Sequence, residues 1–102
     1  MPVTLQVIYP FTEGTSFDMD YYLTTHMQIV QDHMGQHIKE SFVTKGISGG
    51  PNTPPPYHAI ATIVFPDQEA MNAAVAGSGA LLKDIPNFTD VRPKTLIGEL
   101  VG

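Results

Sequence analysis

The chain contains no cysteine, which removes disulfides, thiolate nucleophiles and cysteine-ligated zinc together. Charge is scarce as well, at 15% of residues, and cations are scarcer still. Five Lys plus Arg stand against ten Asp plus Glu, for a formal charge of −5. That balance argues against a nucleic-acid partner, and none is expected, because affinity for a phosphate backbone depends on cationic neutralisation. No apolar run approaches the ~18–20 residues of a membrane span, so no membrane partner is expected. The opening MPVTLQVIYP has no basic leader region and reads as a strand, so the expected location is cytoplasmic. Nucleotide loops are missing too: ISGGPNTPPP has neither the spacing nor the lysine of a P-loop, and no GxGxxG occurs. No serine sits in a nucleophile elbow.

What remains is 102 residues, 42% of them hydrophobic. That fits one domain, residues 1–102, with a real core, and argues against intrinsic disorder. Folding at this size buries roughly two thirds of the surface that the unfolded chain exposes. A small monomer must cover itself with polar groups, and this chain has few. Part of its surface is therefore expected to be hidden in an oligomer.

Residues 3–9 alternate, with Val3, Leu5, Val7 and Tyr9 on one face and Thr4, Gln6 and Ile8 on the other. That predicts a strand, closed by Pro10. After a loop around Gly14, Asp18 can cap a helix and Asp20 sits favourably in its first turn. Met19, Tyr22, Leu23, His26, Met27, Val30 and Met34 recur at helical spacing, and Gly35 marks the stop. A second strand is expected over about residues 36–47, followed by a Gly- and Pro-rich loop. Residues 57–65 form the clearest strand, with Tyr57, Ala59, Ala61, Ile63 and Phe65 on one face and Ile60, Thr62 and Val64 on the other. Pro66 and Asp67 open a second helix through Met71, Ala74 and Val75 to Gly77. Residues 80–88 begin as a helical turn and break at Pro86, and a last strand spans about residues 89–101.

The order β-α-β-β-α-β predicts an α+β, ferredoxin-like domain: a four-stranded antiparallel sheet with both helices on one face. The first and third strands carry apolar residues on both faces, whereas a sheet open to water on one side alternates apolar and polar. The second face is therefore expected to pack against another copy, giving a dimeric α/β barrel.

Four histidines are the groups poised to exchange protons near neutral pH. His26 lies on the inward stripe of the first helix, one turn after Tyr22. It is either a hydrogen-bonded core histidine or a pocket residue. His33 lies roughly 10 Å further along the axis at 1.5 Å per residue, too far to share a metal ion. His33 and His37 straddle the helix end, and His58 points away from Tyr57. No metal site is expected. The tyrosines form a second group: Tyr9, Tyr21, Tyr22 and Tyr57 stand at strand and helix ends, where phenols can line a pocket and donate to a carbonyl or phenolate. Ordinary packing with the hydroxyl in water is the expectation for Tyr21. The third group is the turn Asp84-Ile85-Pro86-Asn87-Phe88-Thr89-Asp90. It either presents fixed donors and acceptors at a pocket rim or satisfies its own backbone.

These residues resemble a known family. Tyr9-Pro10, Phe17-Asp18-x-x-Tyr21-Tyr22-x-x-x-His26-Met27, Gly35, Gly46, a Gly-Gly-Pro loop, Tyr57, Phe65 and Asp84-Ile85-Pro86-Asn87-Phe88-Thr89-Asp90 stand in the order and spacing of the EthD (ethyl tert-butyl ether degradation) family, with HapK-type REDY-like proteins as its neighbours. The resemblance covers nearly the whole chain. It implies a homodimeric α/β barrel and directs attention to His26, Tyr22 and the late turn. Members of the family are often called reductases, yet the fold carries no recognised nicotinamide or flavin motif and neither does this chain, so no cofactor is expected. Related barrels include cofactor-free monooxygenases, lactone isomerases and dehydratases.

Two functions follow. The first is a small cofactor-independent enzyme acting on an apolar, oxygenated molecule, aromatic or polyketide-like, by oxidoreductase, dehydratase or isomerase chemistry. His26 would carry a proton, and Tyr22 or Tyr9 would bond a developing oxyanion. Phe11, Tyr57, Asp84, Ile85 and Phe88 would complete the substrate site with Tyr9. The second is a non-catalytic ligand-binding or accessory protein that supports a neighbouring oxidation system.

Overall fold

A computed structural model describes residues 2–102. Strand β1 (Val3–Pro10) leads into a helix built of three parts: α1 (Met19–Tyr21), a π-helical segment (Tyr22–His26) and α2 (Met27–Met34). Strands β2 (Glu40–Lys45) and β3 (Tyr57–Phe65) follow, then α3 (Gln68–Ala76), α4 (Gly79–Asp84), a 3-10 turn (Ile85–Asn87) and β4 (Lys94–Glu99). The strands lie in the order β2-β3-β1-β4, every neighbouring pair antiparallel. This is the ferredoxin-like α+β arrangement expected from the element order.

Both helix starts are those read from the sequence. Asp18 accepts from the Tyr21 amide and Asp67 from the Ala70 amide, which satisfies donors that a helix end leaves open. The α-helix ends at Met34 with Gly35 as its cap, as expected, while the boundaries of β2 and β4 differ. Gly35 does not cap in a left-handed conformation; its φ is −55° and the chain tightens into a 3-10 turn (Gly35–His37) before β2. Strand β2 is correspondingly shorter than residues 36–47. Strand β4 starts only at Lys94, because Thr89 is tied to Phe17 and Pro93 has no amide hydrogen to offer a ladder. Leu23, expected on the inward stripe, is half exposed: the π turn places the amide of Met27 on the carbonyl of Tyr22, so the inward stripe runs Tyr22, His26, Val30, Met34.

Two apolar clusters lie between sheet and helices. Val3, Ile63 and Phe65 pack against Val30, Met34, Met71 and Ala74 at one end. Tyr9, Ala59 and Ala61 pack against Tyr22 and Phe88 at the other. The register pairs Val3 with Phe65 and Tyr9 with Ala59, so one face of β1 and β3 supplies the sheet side of both clusters. The opposite face carries no helix. A row of Phe42, Thr62, Gln6 and Leu96 crosses it, with Gln6 donating to Thr62 at 3.2 Å. Phe42 and Leu96, at the two ends of that row, are 52% and 55% exposed.

Gly46 has a steric reason. A Cβ there would collide with the backbone carbonyl of Tyr57, where the loop closes by the Gly46 amide donating to the His58 carbonyl at 2.9 Å. Only glycine allows that approach.

Candidate functional site

The helix that carries Tyr21, Tyr22 and His26 is fixed at its start by the late turn. The Asp18 amide donates to the Phe88 carbonyl at 2.7 Å. The Ser16 amide donates to Asp90 Oδ1 at 3.0 Å, and Thr89 Oγ1 donates to the Ser16 carbonyl at 2.6 Å. Thr89 and Asp90 thus clamp two segments 73 and 74 residues apart in sequence. A groove of about 600 Å³ runs along this seam. It is open, and Asp18, Asn87, Thr89 and Asp90 are already engaged in hydrogen bonds there.

Behind the seam, Asp84 is buried and both of its oxygens are used. Oδ2 lies 2.9 Å from His26 Nδ1. Oδ1 accepts from the Tyr21 hydroxyl at 2.7 Å and from Asn87 Nδ2 at 3.0 Å. Burial alone would push the Asp84 carboxyl up. The hydrogen bonds from Asn87, Tyr21 and His26, with the imidazole charge, outweigh it and hold the acid below its ordinary range. Asp84 is therefore a carboxylate at neutral pH and can only accept. In the neutral ring this assigns the Nδ1 proton to His26 and leaves the lone pair on Nε2.

The imidazole is held from both sides. The Tyr22 ring stacks on it at 5.2 Å and 17°, and the Phe88 ring meets it at 4.6 Å. The π segment has Tyr22 and His26 at its two ends. Nε2 makes no hydrogen bond within the protein, yet it is not among sealed, orphaned polar atoms. His26 lines a cavity between sheet and helices.

That cavity has a volume of about 270 Å³. Leu5, Val7 and Tyr9 of β1 and Thr95 and Ile97 of β4 form its floor. Val75, Ser78, Leu81, Leu82 and Ile85 form its roof, with Met34, Ile63, His26 and Pro93 closing the ends. No Lys, Arg, Asp or Glu side chain is in the lining. The exposed Val75, Leu82 and Ile97 make its mouth apolar. Burial, with the nearby Tyr22 hydroxyl, raises the Tyr9 phenol far above its ordinary value. Tyr22 is also raised by burial, to about 12, with its contact to Tyr9 pulling the other way. Both are neutral phenols at any pH the protein would meet.

His26, Tyr9 and Ile85 stand together in the cavity wall. Tyr22, Phe88 and Asp84 lie one layer back, against His26. Phe11 and Tyr57 are not brought to this place. Phe11 packs on His58 at 4.9 Å, and Tyr57 borders a shallow groove of the 46–56 loop. Tyr21 is the residue that sequence reasoning missed: its hydroxyl is not in water but on Asp84, which in turn raises the phenol. Nothing local to Tyr21 signals a partner 63 residues away.

Fold and site define a class: a ferredoxin-like α+β domain with an aspartate-oriented histidine facing an apolar cavity between sheet and helices. The EthD domain model matches residues 14–92, and the chain belongs to the EthD family. An EthD-like protein from Ralstonia eutropha JMP134 is 35% identical over 99% of this chain and 93% of its own, with a TM-score of 0.91. An ethyl tert-butyl ether degradation family protein from Bacillus halodurans C-125 is 22% identical over 99% of this chain and 100% of its own, at a TM-score of 0.76. A dimeric ferredoxin-like protein from Thermobifida fusca YX shares the fold at 8% identity and a TM-score of 0.57, covering 98% and 92%. No curated protein matches the chain. Among the described residues no helix is long and apolar enough to cross a membrane.

Proposed function

We propose that this EthD-family chain is a homodimeric enzyme that moves a proton on a small, apolar, oxygenated substrate, aromatic or polyketide-like, bound in the cavity beside His26. One observation carries the reading. The 2.9 Å contact of His26 Nδ1 with Asp84 leaves Nε2 as the free nitrogen at an apolar cavity. A base needs that arrangement: a fixed ring, a chosen tautomer and a reachable lone pair.

In the proposed step Nε2 takes a proton from carbon next to a carbonyl. The C–H pair moves to the carbonyl oxygen, giving an enolate. The neutral Tyr9 phenol in the same wall donates to that oxygen. The imidazolium formed is stabilised by Asp84, and returns its proton at another atom. Return to a different carbon is an isomerisation; return to a departing hydroxyl is a dehydration. The chain's own side chains suffice for either. Tyr22 and Phe88 hold the ring plane, and Ile85 packs the substrate.

The uncovered sheet face supports the homodimer. It presents Phe42 and Leu96 to water, and the Thermobifida protein of the same fold is dimeric.

Deuterium uptake from D2O into an enolisable aromatic ketone such as 1-tetralone tests the reading. The expected result is uptake accelerated by the protein and lost in His26→Ala. Equal uptake with both proteins would overturn it. Ketone binding without any accelerated uptake would favour the non-catalytic ligand-binding role.

A further inference from the structure

The cavity has few polar side chains, and each can be followed. Besides Tyr9 and His26 it meets only Ser78 and Thr95. The Ser78 hydroxyl donates to the Val75 carbonyl at 2.7 Å, and Thr95 stands exposed at the outer edge. The rings of Tyr9 and Tyr22 meet edge to face at 5.7 Å, and both phenols stay neutral. His26 Nε2 is the inward ring nitrogen with no hydrogen bond in the chain, and the neutral Tyr9 hydroxyl lies in the same wall. With Nδ1 donating to Asp84, Nε2 presents a lone pair, so its complement is a hydrogen-bond donor.

Charge narrows the class further. A carboxylate or phosphate taken into a space lined by no Lys or Arg would be desolvated without a counter-charge. Volume narrows it again: a cavity of roughly 150 Å³ accepts benzene, so about 270 Å³ suits one substituted ring or a compact pair.

We infer that the cavity takes a neutral one- or two-ring molecule with an acidic hydroxyl, a phenol or enol, which donates that proton to His26 Nε2. The ring lies between Leu5 and Val7 below and Leu81 and Ile85 above. A methyl ether of the same molecule keeps the ring and loses the donor, and Nε2 is then buried with no partner. The inference rests on the same placement of His26 as the proposed reaction, but on no turnover.

Three probes test it: 4-ethylphenol, 4-ethylanisole and 4-ethylbenzoate, titrated into the full chain with nitrogen-15-labelled histidine. The phenol should bind at least about tenfold more tightly than the ether or the carboxylate, the scale of one unpaired buried polar group. It should also shift the His26 Nε2 resonance, which the ether should not. In His26→Phe, which keeps a ring between Tyr22 and Phe88, the preference for phenol should vanish. Should that variant not fold, the wild-type Nε2 shift and the three affinities decide alone. Equal affinities, tighter binding of the carboxylate, or phenol binding that leaves Nε2 unmoved would overturn the inference. Phenol binding at Nε2 without ketone exchange would instead remove the proposed reaction and leave this inference standing. Ketone exchange with no phenol preference would do the reverse.

Discussion

His26 Nδ1 and Asp84 Oδ2 meet at 2.9 Å across 58 residues of sequence, with side chains only 5% and 8% exposed. The consequence is chemical. A neutral imidazole that donates to an anion from one nitrogen keeps its lone pair on the other, and here His26 lines the cavity.

Replacing the anion should therefore alter the histidine without touching the cavity. In Asp84→Asn the amide no longer fixes the Nδ1 proton or stabilises an imidazolium. Turnover should fall by roughly 10²-fold or more, as for loss of a positioned proton carrier. Steady-state kinetics beside circular dichroism on the same sample would check it.

Asp84 also sets an acid limit on stability. Its pKa in the folded chain lies below the ordinary value of 3.8, so the unfolded chain binds this proton more readily than the folded one. Stability from Asp84 is fully present above about pH 4 and is lost as pH falls through the folded value. Denaturant midpoints at pH 7, 4 and 3 should drop more steeply at the acid end for the wild type than for Asp84→Asn.

Phe88 is the keystone of the aromatic cluster, touching Tyr9, Phe17, Tyr21, Tyr22 and His26 by its ring. It is buried. Phe88→Ala should destabilise the fold by about 3–5 kcal/mol, the usual range for an emptied aromatic site. Denaturant unfolding measures it directly.

On the uncovered sheet face the charge variants Phe42→Glu and Leu96→Glu should separate the proposed dimer while each subunit stays folded, because both side chains are exposed in the single chain. Light scattering should give one subunit mass for each variant and two for the wild type. A wild-type monomer at micromolar concentration would contradict the dimer.

Much of the fold was legible because its signals are local. Alternation in residues 3–9 and 57–65, and the caps Asp18 and Asp67, depend only on near neighbours. The inward position of His26 was legible for the same reason. Its partner was not: Asp84 and Asn87 look like any polar turn, and only the clamp of Thr89 and Asp90 on Ser16 brings that turn to the helix. Tyr21 failed likewise, since periodicity reports which way a side chain faces and not what waits there. Leu23 was misread because a π turn leaves no mark in the spacing of apolar residues.

The most direct measurement is the tautomer of His26, read from its two ring nitrogens by nitrogen-15 NMR above the pH at which the ring is protonated, with His26→Phe assigning the signals. The expected result is a proton on Nδ1 and a lone pair on Nε2. A proton on Nε2 in the neutral ring would contradict it, because the cavity would then face a donor and His26 could not act there as a base.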